Sequence, residues 1–172
     1  DLVKHFGVDA VRYYSLHEMP FAQDGTITYE VFISRFNSDL ANTLGNLVNR
    51  TVAMINKYFD GEIQSCDVHG DFDDDLKAVA TGAIDKIIKK MNTLHVADSM
   101  DEIWKVVDRA NKYIDETTPW VLAKNEDDKP RLGTVLYNLV ETIRIIAALL
   151  SSYMPETSKK IAEQIGADDL SF

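Results

Sequence analysis

Three side-chain amides and one guanidinium, on Asn42, Asn46, Asn49 and Arg50, recur at helical spacing within the stretch NSDLANTLGNLVNRTVAMINKYFDG. At about 100° per residue they fall within an arc of about 100°, opposite a side carrying Leu40, Leu44, Leu47, Val48, Ile55 and Tyr58. Asn is a poor choice for a face that only meets water, because its amide competes with its own backbone and weakens the helix. A row of amides beside a guanidinium suits a flat ligand with donor and acceptor edges, such as a nucleobase. The competing account is structural: Asn37 and Asp39 cap a helix and the other amides bond to neighbouring helices. A second candidate lies far downstream, where Trp120 follows Pro119 in DETTPW. A helix-breaking corner can offer its ring to an unstacked base, a contact worth roughly 1–3 kcal/mol; the same ring can equally plug the end of a bundle.

Other chemistries lack their residues. None of His5, His17, His69 or His95 has a Glu three positions before it, so the paired Glu-x-x-His motifs of a di-iron bundle are missing. One cysteine, Cys66, supplies neither a disulfide nor a zinc cluster and fits a reducing compartment. There is no Walker loop and no Gly-x-Ser-x-Gly elbow. The acidic run DFDDD invites a calcium reading, but Leu76 and Gly82 stand where an EF-hand loop starting at Asp71 needs Gly and Glu. A paired-carboxylate hydrolase is not singled out by any pair among the 28 acidic residues. The chain by itself reads as non-catalytic.

A formal net charge of −10 disfavours broad, sequence-blind nucleic-acid binding, which needs a dense basic surface. It leaves room for a local site that stacks and hydrogen-bonds a few unpaired bases. No apolar run is expected to reach the roughly 20 residues that cross a bilayer, and no signal-peptide pattern opens the chain. The 172 residues, 45% hydrophobic, suffice for one core with an appendage. The chain begins at Asp1 inside a helical pattern, so we expect a piece of something longer.

The elements that must hold these residues are helical. Leu2 to Phe6 ends a helix at Gly7, Asp9 is placed to cap the next, and Pro20 stops it. PFAQDGTITY reads as a loop, and Thr28 caps a helix leading into the Asn-rich stretch, either kinked or broken near Asn37 to Asp39. Residues 61–75 read as an acidic loop whose carboxylates favour the following helix start, and one helix is expected from Leu76 to about Thr93. Ser99 and Glu102 form a capping box for a helix ending near Thr117, with Trp104 on its inner stripe. Pro130 and Pro155 open the last two helices, and Gly166 closes the second. No segment alternates as a strand would. The expected fold is all-α, an antiparallel helix bundle of four or five main helices.

NSDLANTLGNLVNR, followed well downstream by DETTPWVLAK, resembles the anticodon-binding domain of bacterial-type methionyl-tRNA synthetases, and the opening FGVDAVRYYSLHEMPFAQDG resembles the segment that joins their catalytic and anticodon-binding parts. The likeness covers nearly the whole chain. It implies a linker over residues 1–27 and an anticodon-binding bundle over 28–172. It also implies that Asn42, Asn46 and Arg50 face the anticodon of a methionine-specific tRNA, that its first base, a cytosine, stacks on Trp120, and that Pro119 shapes that corner. The HIGH-like and KMSKS-like signatures and the knuckle cysteines are absent. ATP and Mg, and Zn where knuckles occur, would therefore belong to the catalytic domain of the same parent chain, a cytoplasmic ligase. No cofactor, DNA or membrane partner is expected for this piece. A bundle from another class I synthetase, or a scaffold whose Asn face docks a partner helix, is the alternative.

Overall fold

The computed structural model describes residues 1–19, 27–64 and 66–170, and every regular element among them is helical. Helices α1 (Leu2–Phe6) and α2 (Val8–His17) precede α3 (Tyr29–Arg35), which passes through a π-helical segment (Phe36–Gly45) into α4 (Asn46–Phe59). Then come α5 (Asp73–Thr81), α6 (Ala83–Met91), α7 (Val96–Thr117), the short α8 (Pro119–Leu122), α9 (Lys129–Leu150) and α10 (Pro155–Ile165). The turn expected around Pro20 and Asp24-Gly25 falls largely outside the described residues.

The core is built around α9, which packs against α10, α7, α5, α4 and α8. Leu136, Leu139, Ile143 and Ile146 are fully buried, facing Ile103, Val107, Ala110 and Ile114 of α7 and Leu47 of α4. A smaller cluster of Ala10, Tyr14 and Phe32, edged by Leu2, Phe6, Val11 and Phe36, seats α1 and α2 on α3. Leu40 touches both clusters, so the Asn-rich stretch is gripped from two sides. Burial of side chains of this size contributes about 1.5–3 kcal/mol each before chain entropy is set against it.

Several sequence expectations need correcting. The stretch Glu126–Leu150 is long and apolar enough to cross a membrane, but 67% of its apolar window is buried against other helices, so its hydrophobicity belongs to the core. Asp9 does not cap its own helix. Its Oδ2 accepts from the Thr157 N–H at 2.6 Å, at the start of α10, while Arg12 donates to the carbonyls of Tyr153 (2.8 Å) and Ser152 (3.0 Å) after α9. An anion at a helix N-terminus and a cation on carbonyls past a C-terminus both complement the helix dipoles. The helix expected through Thr93 is two, divided at Gly82, where an added Cβ would meet the Ala78 carbonyl at 2.9 Å. Ala83 and Ile87 keep their places in the core, while Met91 and Leu94 are exposed. Ser99 is buried within α7, which already begins at Val96, and bonds the Val96 carbonyl and the Tyr153 hydroxyl instead of capping.

Other expectations hold. The Thr28 Oγ1 accepts from the Val31 N–H, Asp73 to Asp75 occupy the first turn of α5, α7 ends at Thr117, and Gly166 takes the left-handed conformation (φ 65°) after α10. Trp104 is half-buried and tilted against Tyr13, with ring centroids 4.8 Å apart.

Candidate nucleic-acid interface

The apolar side of the Asn-rich helix is buried as its spacing requires, with Leu44, Leu47, Val48 and Ile55 in the core. Asn42, Asn46 and Asn49 are exposed and Arg50 is half-buried. The chain does not break near Asn37: Arg35 and Phe36 at one end of the π segment, and Gly45 and Asn46 at the other, all keep right-handed helical angles. Asp39 is no cap; it receives the Tyr13 hydroxyl at 2.7 Å and the Ser38 hydroxyl at 2.6 Å.

Among the described residues the side-chain amides of Asn42 and Asn46 bond to no other protein group. That removes the account in which they tie neighbouring helices together. Asn49 lines a cavity of about 420 Å³ with Phe6, Leu40, Met154 and Ile161.

Two contacts bring this stripe to the end of α7. Arg50 Nη2 lies 3.5 Å from Asp115 Oδ1, and the Asn111 side chain donates to the Thr43 carbonyl at 3.2 Å. Asn111 and Asp115, one helical turn apart, share a face of α7. That helix then stops abruptly. Thr118 is left-handed (φ 43°, ψ 62°), Pro119 opens α8, and the N–H of Val121 bonds back to the Thr118 carbonyl at 2.8 Å. Pro119 is buried and Trp120 is 42% exposed, so the proline fixes the corner and the indole faces outward. Among the described residues no aromatic ring or cation stacks on the indole.

The Arg50–Asp115 pair is long and has both side chains well exposed, so it holds the guanidinium only loosely. A ligand offering better acceptors can recruit it. The stripe offers amide edges and a movable guanidinium, and Trp120, five residues after Asp115, offers a flat apolar ring at the corner beyond α7. Sequence reasoning did not single out Asn111 or Asp115, although Asp115 opens the DETTPW motif and Asn111 stands one turn before it.

The sequence matches the family described as the anticodon binding domain of methionyl tRNA ligase over residues 63–172, and a class I (M) tRNA synthetase family over residues 1–52. The chain belongs to the methionyl-tRNA ligase anticodon-binding family. It is 54% identical over 167 residues to a methionine–tRNA ligase of Clostridium tetani and 50% identical over 171 residues to one of Lactococcus lactis, covering 97% and 99% of this chain and 26% of each relative. The chain thus spans about a quarter of the length of these relatives. Among solved structures, the apo form of Mycobacterium tuberculosis methionyl-tRNA synthetase superposes with a TM-score of 0.90 at 38% identity, covering 94% of this chain and 33% of that one.

Proposed function

We propose that this domain reads the anticodon loop of a methionine-specific tRNA for an ATP-dependent methionine–tRNA ligase of the bacterial cytoplasm, whose catalytic domain binds ATP and Mg. The observation that carries the reading is the pairing of two exposed, unbonded amides, Asn42 and Asn46, with a loosely held Arg50 that reaches Asp115 just before the Trp120 corner. An unstacked cytosine lies against the Trp120 ring and presents its amino donor, ring nitrogen and carbonyl to Asn46 and Arg50. Asn42 serves a neighbouring anticodon base. Pro119 holds the corner. A wrong base leaves a buried donor or acceptor unpaired, which costs about 1–3 kcal/mol per group.

The remaining partner is the catalytic domain of the same parent chain. Val3, Val8, Ile27, Tyr29, Val31 and Ile33 are large, exposed and apolar, and all lie within the first 52 residues, where the class I synthetase family matches. Residues 1–27 form the connection and 28–172 the reading bundle, with α2 fastened to the bundle through Asp9 and Arg12.

The test is aminoacylation by the full-length ligase. Trp120→Ala and Arg50→Ala should each weaken tRNA recognition by about 1–3 kcal/mol, or roughly five- to 150-fold in kcat/KM for tRNA. ATP-dependent activation of methionine should be unchanged. Wild-type tRNA kinetics in both variants would overturn the assignment.

A further inference from the structure

Phe36–Gly45 is wound as a π-helix for ten residues inside an otherwise α-helical rod. π-Helical turns are rare, usually single, and often found at functional sites. A run of this length needs support, and two contacts from other helices and one within the run supply it. The buried Tyr13 hydroxyl binds Asp39, and Asn111 binds the Thr43 carbonyl, each from another helix. Thr43 Oγ1 donates to the Ser38 carbonyl five residues back at 2.7 Å. The threonines at 81, 117, 134 and 142 all bond the carbonyl four residues back, as a normal α-turn dictates. Gly45 closes the run, and a Cβ there would stand 3.1 Å from the Leu40 carbonyl, again five residues back.

Widening the helix changes what lines up. With hydrogen bonds to the fifth residue a turn takes more than four residues, so the step from Asn42 to Asn46 rotates backwards and offsets the forward rotation of the step from Asn46 to Arg50, which lies in α4. Asn42 lies inside the widened run and Asn46 opens the α-helix after it. In a plain α-helix Asn42, Asn46 and Arg50 would fan out by about 40° per step.

We propose that Phe36–Gly45 is a register insert that draws Asn42 into line with Asn46 and Arg50, and that Thr43, Tyr13 and Asn111 are positioning residues for this stripe. This rests on the anticodon reading proposed above. None of the three needs to touch RNA. Their effect comes through the backbone that carries Asn42.

The experiment compares Thr43→Val, Thr43→Ser, Asn111→Ala and Asn42→Ala in the full-length ligase, by tRNA kinetics and thermal unfolding, with amide exchange over residues 38–48. Thr43→Val removes one hydrogen bond, worth about 1 kcal/mol, and should raise the tRNA KM about fivefold at constant kcat. Thr43→Ser keeps the hydroxyl and should restore wild-type KM, and Thr43→Val should redistribute amide protection across the run. If Asn42→Ala raises KM while Thr43→Val and Asn111→Ala leave both KM and exchange unchanged, the register proposal is overturned and the anticodon reading survives. The proposal is equally overturned if Thr43→Val raises KM only in proportion to lost thermal stability and Thr43→Ser does not rescue it. If Asn42→Ala, Arg50→Ala and Trp120→Ala are all silent, the reading itself falls and the register proposal with it.

Discussion

The stripe of Asn42, Asn46 and Arg50 and the cluster around Asp73 are both polar, and they are built in opposite ways. Asp73 is 1% exposed and fully engaged: Arg131 donates two bonds to it (2.6 and 2.7 Å), the Tyr113 hydroxyl one (2.6 Å) and the Gly70 N–H another (3.1 Å). Asn138 bonds Tyr113 at 3.3 Å, and Arg131 also takes the Val68 carbonyl at 2.8 Å, fastening the acidic loop to α9. On the stripe, Asn42 and Asn46 have no protein partner among the described residues and Arg50 has one distant one. A saturated, buried network can serve the fold but has no valence left for a ligand. The unsaturated, exposed stripe ties little of the fold together and keeps its valences open.

That contrast is broken most directly at Asp73. Asp73→Ala leaves Arg131 and Tyr113 without their acceptor, and removing one partner of a buried ion pair typically costs about 3–5 kcal/mol. Urea unfolding should show a loss of that order. A loss below about 1 kcal/mol would mean that the network is more solvated than its geometry indicates.

Acid and alkali should reach the same network from two sides. Burial pushes the Asp73 carboxyl up, but the hydrogen bonds from Arg131 and Tyr113 and the guanidinium charge outweigh it, so the group is held below the ordinary carboxylate value. A depressed folded value stabilises the fold at all pH above the unfolded value of about 3.9, and that contribution disappears as pH falls through the folded value. For Tyr113, burial and then the bond to Asp73 push the hydroxyl up to about 12. Its contribution is complete below the unfolded value of about 10 and is lost as pH climbs from there through the folded value. Stability measured against pH should therefore fall at both extremes in the wild type. In Tyr113→Phe the alkaline fall should shrink.

How much of this could be read from residue order follows from how far apart the causes lie. The stripe was legible because burial of Leu44, Leu47, Val48 and Ile55 repeats with the helical period, and the Pro119–Trp120 corner because proline ends helices locally. The widened turn was not legible. It depends on Tyr13 and Asn111, 26 and 68 residues from the groups they hold. Asp9 misled for the same reason: its position suits a cap on its own helix, yet its carboxylate reaches an amide 148 residues away. The apolar spacing from Leu76 onward reads as one helix, whereas the chain divides it at Gly82 into α5 and α6. Local rules locate elements, and distant partners decide how each polar side chain is spent.

Trp120→Ala should separate the two regions from the other side. The indole is 42% exposed and has no ring partner among the described residues, so its removal should change unfolding free energy by no more than about 0.5 kcal/mol, the usual range for surface positions. A larger loss in urea would show that the ring plugs the bundle end, and would remove Trp120 from the proposed anticodon site.

The smallest effect is expected at Arg50 and Asp115. Their atoms are 3.5 Å apart, with side chains 42% and 69% exposed, and exposed pairs of this kind couple by about 0–1 kcal/mol. A double-mutant cycle on stability with Arg50→Ala and Asp115→Ala should return a coupling within that range, further reduced by added salt because exposed charges are screened. The low value carries the argument. An arginine bound tightly to Asp115 would have to break that bond for each base it meets. A coupling of 3 kcal/mol or more would make Arg50 a structural residue like Arg131, leaving the amides alone to meet a ligand.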